Sequence, residues 1–303
     1  MIHVVVSCSD RKSMPSAPQL RASVLPRGSF GKRTASWMKR AGQAPGLATA
    51  ASLYQGEHWS VARDLALQDG IELWVASGGF GLISQGAKIC GYSATFTPGC
   101  ADTVTLASTA KAIDRERKQW WTALQALKSP DHRSSIPQLA AEGSVVIAAS
   151  RPYLSAMESE ILDAALLAPR RVMISTVGPV PTRLQSLCAG GDGSLRNVLG
   201  GSMQAVNARL AQRIVTTIAD KDLTVDAARR LTASLLTGAA PLIRFNRRTL
   251  TDQEVRAYIA DAIGNSNGIT TSCSSLIRVF RDAGMACEQS RFRDLFHQVR
   301  ERQ

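Results

Sequence analysis

Histidine is scarce in this chain of 303 residues, with only His3, His58, His132 and His297. The six cysteines, Cys8, Cys90, Cys100, Cys188, Cys273 and Cys287, include no Cys-x-x-Cys pair. Such scattering points to neither a zinc site nor a disulfide framework, so no metal and no cofactor are expected. Long apolar runs are also missing, since nothing approaches the roughly 20 residues that span a bilayer. The short run over 2–6 lacks the basic leader of a signal peptide, and the expectation is a cytoplasmic protein with no membrane partner. Acid is the other shortage: the first fifty residues hold eight Lys and Arg against one acid.

That local excess matters more than the net charge of +12. Residues 51–221 carry sixteen basic against fourteen acidic side chains, and 222–303 carry twelve against nine. Arg11, Lys12, Arg33 and Arg40 belong to the amino-terminal set, which runs through a Ser/Pro/Gly-rich stretch with little hydrophobic periodicity. The stretch reads as a basic loop suited to a polyanion, and nucleic acid is the expected partner. The residues leave the oligomeric state open.

β-Branched and apolar residues concentrate at 2–6, 71–76, 145–149 and 171–175, and helical spacing fills much of the chain between them. This alternation predicts an α/β fold with a three-layer, largely parallel sheet over residues 1–220. Residues 221–303 read as helical, ending in a helix, a glycine turn and a second helix over 272–300. That pair is helix-turn-helix-like and carries Arg291 and Arg293 on its second helix.

Two strand ends draw attention, because ligand-binding loops of α/β sheets lie there. The first strand breaks into Ser7, Cys8, Ser9, Asp10, Arg11 and Lys12, where Asp10 is the first carboxylate of the chain and sits among cations that keep it ionised. The second ends in Ser77-Gly78-Gly79-Phe80-Gly81-Leu82-Ile83. Its glycines let backbone amides approach a ligand and Phe80 offers a flat face, with Tyr92 nearby as a further wall. Arg151 repeats the strand-end placement of Asp10. Ser202, after Gly200 and Gly201, is read as the N-cap of a helix running to about Ala219, with Gln204 and Asn207 on its first turn as anion or phosphate contacts.

Several familiar motifs fail on spacing. Gly81-x4-Gly86 is followed by Ala87-Lys88 and is not a Walker A loop, and Gly79-Phe80-Gly81 meets Ser84 where a dinucleotide fingerprint has its third glycine. What remains is a resemblance. Ser7-Cys8-Ser9-Asp10-Arg11-Lys12, Leu53-Tyr54-x-Gly56 and the 77–83 loop resemble the YaaA-like and archaeosine-synthase-like proteins, over about the first hundred residues. That group is related in fold to uracil-DNA glycosylases and includes phage-defence DNA glycosylases that remove glucosylated hydroxymethylcytosine. The resemblance implies a DNA glycosylase that acts on DNA and leaves an abasic site, with Asp10 in the place of the catalytic carboxylate; Glu57 and Asp102, each near a glycine- or threonine-rich loop, are the reserves. The implied base pocket takes Ser7, Cys8, Ser77, Gly79, Phe80 and Tyr92.

The chemistry asks for those residue types whatever the name. Cleaving an N-glycosidic bond passes through an oxocarbenium-like sugar, which a carboxylate stabilises while water is oriented for attack. The base must leave the stack for a pocket with an aromatic face and polar edges, while cations hold the phosphates. Two alternatives stand beside hydrolysis. A base-exchanging transglycosylase or deoxyribosyltransferase would use the same pocket, and a DNA-binding stress protein would use only the helix-turn-helix.

Overall fold

The fold is that of a computed structural model, which describes residues 1–127, 133–218, 222–242, 246–265 and 272–301. The chain forms two compact units, Met1–Pro241 and Leu242–Gln303. The first unit therefore extends past the expected boundary at 220. The reason is helix Val225–Thr237, whose buried Ala228, together with the preceding Leu223, joins the core of the first unit.

A five-stranded sheet organises that unit. Its strands are β1 (Ile2–Ser7), β2 (Ile71–Ser77), β3 (Gly81–Ser84), β4 (Ser144–Ala148) and β5 (Val172–Ile174), in spatial order β3-β2-β1-β4-β5. All neighbours are parallel except β2 and β3. The register sets Val4 between Leu73 and Val146, and Val5 between Trp74 and Ile147. Val4, Val5 and Val6 are at most 1% exposed, and consecutive buried residues mean that both sheet faces are covered. Helices Glu57–Leu65 and Val206–Thr217 pack on each other against the sheet, and helix Arg151–Leu167 packs on both Ala110–Gln125 and Ile136–Glu142.

The mixed α/β class and the strands β1, β2, β4 and β5 agree with the sequence reading. Three local features differ from it. The basic stretch is not all loop: Phe30–Gly42 is a helix, started by Ser29, whose side chain accepts from the Lys32 amide at 3.2 Å. It buries Arg33, Trp37 and Ala41, one residue per turn along a single face. The glycine loop is also shorter than expected, because Gly81, at φ +77°, turns the chain straight into the antiparallel edge strand β3. Finally, Ser202 is not an N-cap. The helix begins at Val206 after Ala205, and its expected end at Ala219 lies outside the described residues.

The second unit has its own small core of Val255, Ile259, Leu276, Ile277, Phe280, Phe292 and Phe296. Helices Asp252–Gly264, Cys273–Asp282 and Gln289–Arg300 supply it. The last two form the expected helix pair. Between them Met285–Ala286 pairs in parallel with Arg248–Thr249, a short strand pairing in a region read as all helix.

Candidate functional site

From β1 the chain moves to β2 on one side and later returns to β4 on the other, so the sheet has its switch point between β1 and β4. In open α/β sheets the crevice at that point, outside the carboxyl ends of the strands, is where ligands bind. A cavity of about 530 Å³ opens there, lined by Ser7–Arg11 after β1 and by Ser150 and Tyr153 after β4. Gln55–His58, Thr95, Thr97, Ser202–Gln204 and Asn207 complete its wall.

The Asp10 turn is a compact structure. Ser9 Oγ donates to the Arg11 carbonyl at 2.7 Å, and the Gln55 amide donates to that carbonyl at 3.0 Å. Asp10 is exposed, and its carboxylate makes no hydrogen bond or ion pair with a described residue. Beneath it, Cys8 Sγ lies 3.1 Å from the Tyr153 hydroxyl. Burial pushes the Tyr153 phenol well above its ordinary pKa, with the neighbouring Cys8 and the Asp10 carboxylate adding to the effect, so it faces the cavity as a neutral hydroxyl.

The opposite wall is held by Glu57 and His58 at the start of helix Glu57–Leu65. Glu57 Oε1 accepts from Arg209 at 2.7 and 3.0 Å, and Oε2 accepts from the Ser202 amide at 2.9 Å. The Arg209 bonds, then the Ser202 amide, hold the Glu57 carboxyl below the usual carboxylate range. The segment they grip passes through two left-handed glycines, Gly200 and Gly201, at φ +72° and +76°. A Cβ on Gly201 would lie 2.0 Å from Glu57 Oε1, so only glycine admits this approach. His58 has both ring nitrogens buried without a well-formed hydrogen bond, and burial lowers its pKa against the opposing effect of the Ser7 and Gln204 main chains. Asn207 is oriented from behind: its Oδ1 accepts from the Val177 amide at 3.0 Å, which leaves its amide N–H groups for the other side.

Of the residues singled out in the sequence, the structure brings Ser7, Cys8, Asp10, Arg11, Ser202, Gln204 and Asn207 to this cavity, with the reserve Glu57. The others lie elsewhere. Ser77, Gly79, Phe80 and Tyr92 form a packed layer outside the lining, in which Ser77 Oγ meets the Tyr92 hydroxyl at 2.7 Å and accepts from the Gly79 and Phe80 amides. Phe80 is 2% exposed, with the Tyr92 ring edge-on at 5.2 Å, and so presents no flat face to a ligand. Trp37 and Trp120 donate to the Gly79 and Gly78 carbonyls at 2.8 and 2.9 Å, so this glycine turn serves the core. Asp102 is tied to the Ser23 amide at 2.8 Å.

The expected phosphate contacts divide in the same way. Arg11 is exposed at the cavity, whereas Arg33 is buried with its guanidinium on main-chain carbonyls. Arg40 donates to the Gln19 carbonyl and Arg151 pairs with Asp114 at 3.5 Å. In the second unit Arg291 is bonded to Asp252 and the Leu250 carbonyl, while Arg293 is exposed. Gln55, His58, Thr95, Thr97, Ser150, Tyr153 and Met203 line the cavity without having been singled out as site residues. For Gln55 and His58 the signal was there, since both adjoin the Leu53-Tyr54-x-Gly56 turn.

No family model matches the chain, and neither a curated protein nor a solved structure matches it. Among the described residues no helix is long and apolar enough to cross a membrane, and no three His, Cys, Asp or Glu side chains gather as metal ligands.

Proposed function

We propose that this cavity hydrolyses the N-glycosidic bond of a modified base in DNA, leaving an abasic site. The observation that carries the reading is the unpaired Asp10 carboxylate at the sheet's switch point, beside a cavity of about 530 Å³ most of whose lining residues bear a hydroxyl or amide group. A carboxylate neutralised by a partner would have little charge to offer an oxocarbenium-like sugar; Asp10 has no such partner, whereas Glu57 is held by Arg209. For this reason Asp10 is preferred over its reserves.

In this reading the extrahelical nucleotide enters from the Arg11 side, with that guanidinium on a backbone phosphate. Asp10 stabilises the positive charge that develops on the sugar and orients the attacking water. Gln204 and the N–H groups of Asn207 meet the polar edges of the base, and the neutral Tyr153 hydroxyl is a further donor. The resemblance of the strand-end motif to the uracil-glycosylase group favours a uracil-DNA-glycosylase-like arrangement, a cytoplasmic anti-phage role and glucosylated hydroxymethylcytosine as the base.

The test is purified protein with DNA carrying natural and phage-modified bases, read by alkaline strand cleavage with and without added free base. Abasic product in the absence of free base supports hydrolysis. Product that appears only as an exchanged base assigns the cavity to glycosyl transfer, and binding without either product leaves the non-catalytic reading.

A further inference from the structure

Lys12 is adjacent to Arg11 in a motif rich in cations, yet its side chain takes the opposite course. Its ammonium donates to the Ser9 carbonyl at 3.1 Å and to the Asp10 carbonyl at 3.5 Å, the last two peptide groups before Arg11. It lies 4.4 Å from the centroid of the Tyr92 ring and 5.8 Å from that of Tyr54. Arg11 is exposed at the cavity, while Lys12 is half-buried and outside the lining.

The seat beneath the ammonium is rigid. Tyr92 is fully buried, and its hydroxyl is fixed between Ser77 Oγ at 2.7 Å and the Tyr54 hydroxyl at 2.8 Å. Tyr54 in turn pairs its backbone with Lys12 in an antiparallel bridge. A cation on a fixed aromatic face, with carbonyl dipoles pointed at it, holds those carbonyls in one orientation. Since the Ser9 and Asp10 carbonyls define the peptide planes on either side of the Asp10 Cα, they also set the direction in which the Asp10 carboxylate projects.

We propose that Lys12 is a positioning residue for Asp10 and makes no phosphate contact. The inference rests on the reading of Asp10 as the catalytic carboxylate. Because Lys12 touches neither the sugar nor the phosphates, its loss affects the transition state through the placement of Asp10, and misplacement by about 1 Å costs up to roughly 10²-fold in rate. Ground-state binding is untouched.

Three variants test this. Lys12→Met keeps the apolar stem over Tyr92 and removes the charge, Lys12→Arg keeps a cation able to donate to both carbonyls, and Arg11→Met serves as the phosphate-contact control. Lys12→Met lowers kcat by about 10- to 100-fold with KM and DNA affinity unchanged, and Lys12→Arg recovers most of the loss. The slope of log affinity against log salt falls by about one in Arg11→Met and stays at the wild-type value in Lys12→Met. A slope lowered by one in Lys12→Met, or an unchanged kcat, overturns the proposal. If Lys12→Met does not fold, Lys12→Gln is read in the same way.

Should the wild-type protein release no base from any DNA, the glycosidase reading fails, and the positioning role is decided by amide hydrogen exchange over 7–13. Faster exchange there in Lys12→Met but not in Lys12→Arg upholds it. Equal exchange in all three proteins overturns it.

Discussion

Arg33 belongs to the most basic stretch of the chain, and its replacement separates a surface cation from a buried strut. The residue is 3% exposed, and burial is the largest influence on its guanidinium, lowering the pKa. An arginine remains charged even so. Its Nε donates to the Val104 carbonyl at 3.1 Å, one terminal nitrogen to Thr103 at 2.7 Å, and the other to Leu25 at 3.4 Å. The guanidinium thus ties helix Phe30–Gly42 to two loops. In Arg33→Met the stem's packing survives and the carbonyls lose their donor. Hydrogen bonds to charged groups contribute about 1.5–3 kcal/mol each, so two good bonds and one long one, offset by release of a buried charge, leave a net loss of about 3 kcal/mol. For a unit of this size that is a fall of roughly 6–12 °C in Tm. Arg33→Lys does not restore it, because an ammonium cannot span three carbonyls on two segments. Thermal and urea unfolding measure the loss, and the salt slope of DNA binding stays at the wild-type value. Unchanged stability together with a slope reduced by about one would refute the assignment and return Arg33 to the surface.

Two further outcomes rest on Glu57 and on Phe280. The folded pKa of Glu57 is depressed below the ordinary carboxylate range, so its hold on Ser202 is complete above the unfolded value and is lost as the pH falls through the folded one. The protection factor of the Ser202 amide against hydrogen exchange therefore falls on acidification, and in Glu57→Gln it is already low at pH 7. In the second unit Phe280 is fully buried in a core of its own, so Phe280→Ala weakens that unit by about 3–5 kcal/mol. Its unfolding transition moves down while that of residues 1–241 stays in place, as calorimetry with hydrogen exchange would register.

The central strands were legible because strands covered on both faces carry unbroken apolar runs, as Val4–Val6 and Val145–Ile147 do. Helix Phe30–Gly42 was not, and the reason is Arg33 itself. It stands on the same face as Trp37 and Ala41, so a charged residue occupies the position where periodicity asks for an apolar one. Strand β3 escaped notice because its first residue, Gly81, is also the turn glycine, so Leu82 and Ile83 read as the end of the loop.

In the site, the strand-end residues from Ser7 to Arg11 could be found by position alone. Phe80 and Tyr92 were placed at a pocket wall because an aromatic in a glycine-rich connection has no local mark that says which way it faces. What buries Tyr92 comes from Trp37 and Tyr54, residues remote in sequence, and Phe80 packs against Tyr92. Ser202 has the chemistry of an N-cap and lies near a helix start. Its amide is bonded to Glu57, a partner 145 positions away that no local pattern reveals.

The most direct test of the account is a single-turnover comparison of wild type and Asp10→Asn on a DNA substrate carrying the excised base, with binding measured on the same samples. The Asp10 side chain has no structural partner among the described residues, so the variant keeps its Tm and its DNA affinity. Its rate of base release falls by roughly 10²–10⁴-fold, the range for loss of a group that acts in the transition state. A rate within about threefold of wild type, well inside that range, would contradict the account and leave the cavity at the switch point without its catalytic carboxylate.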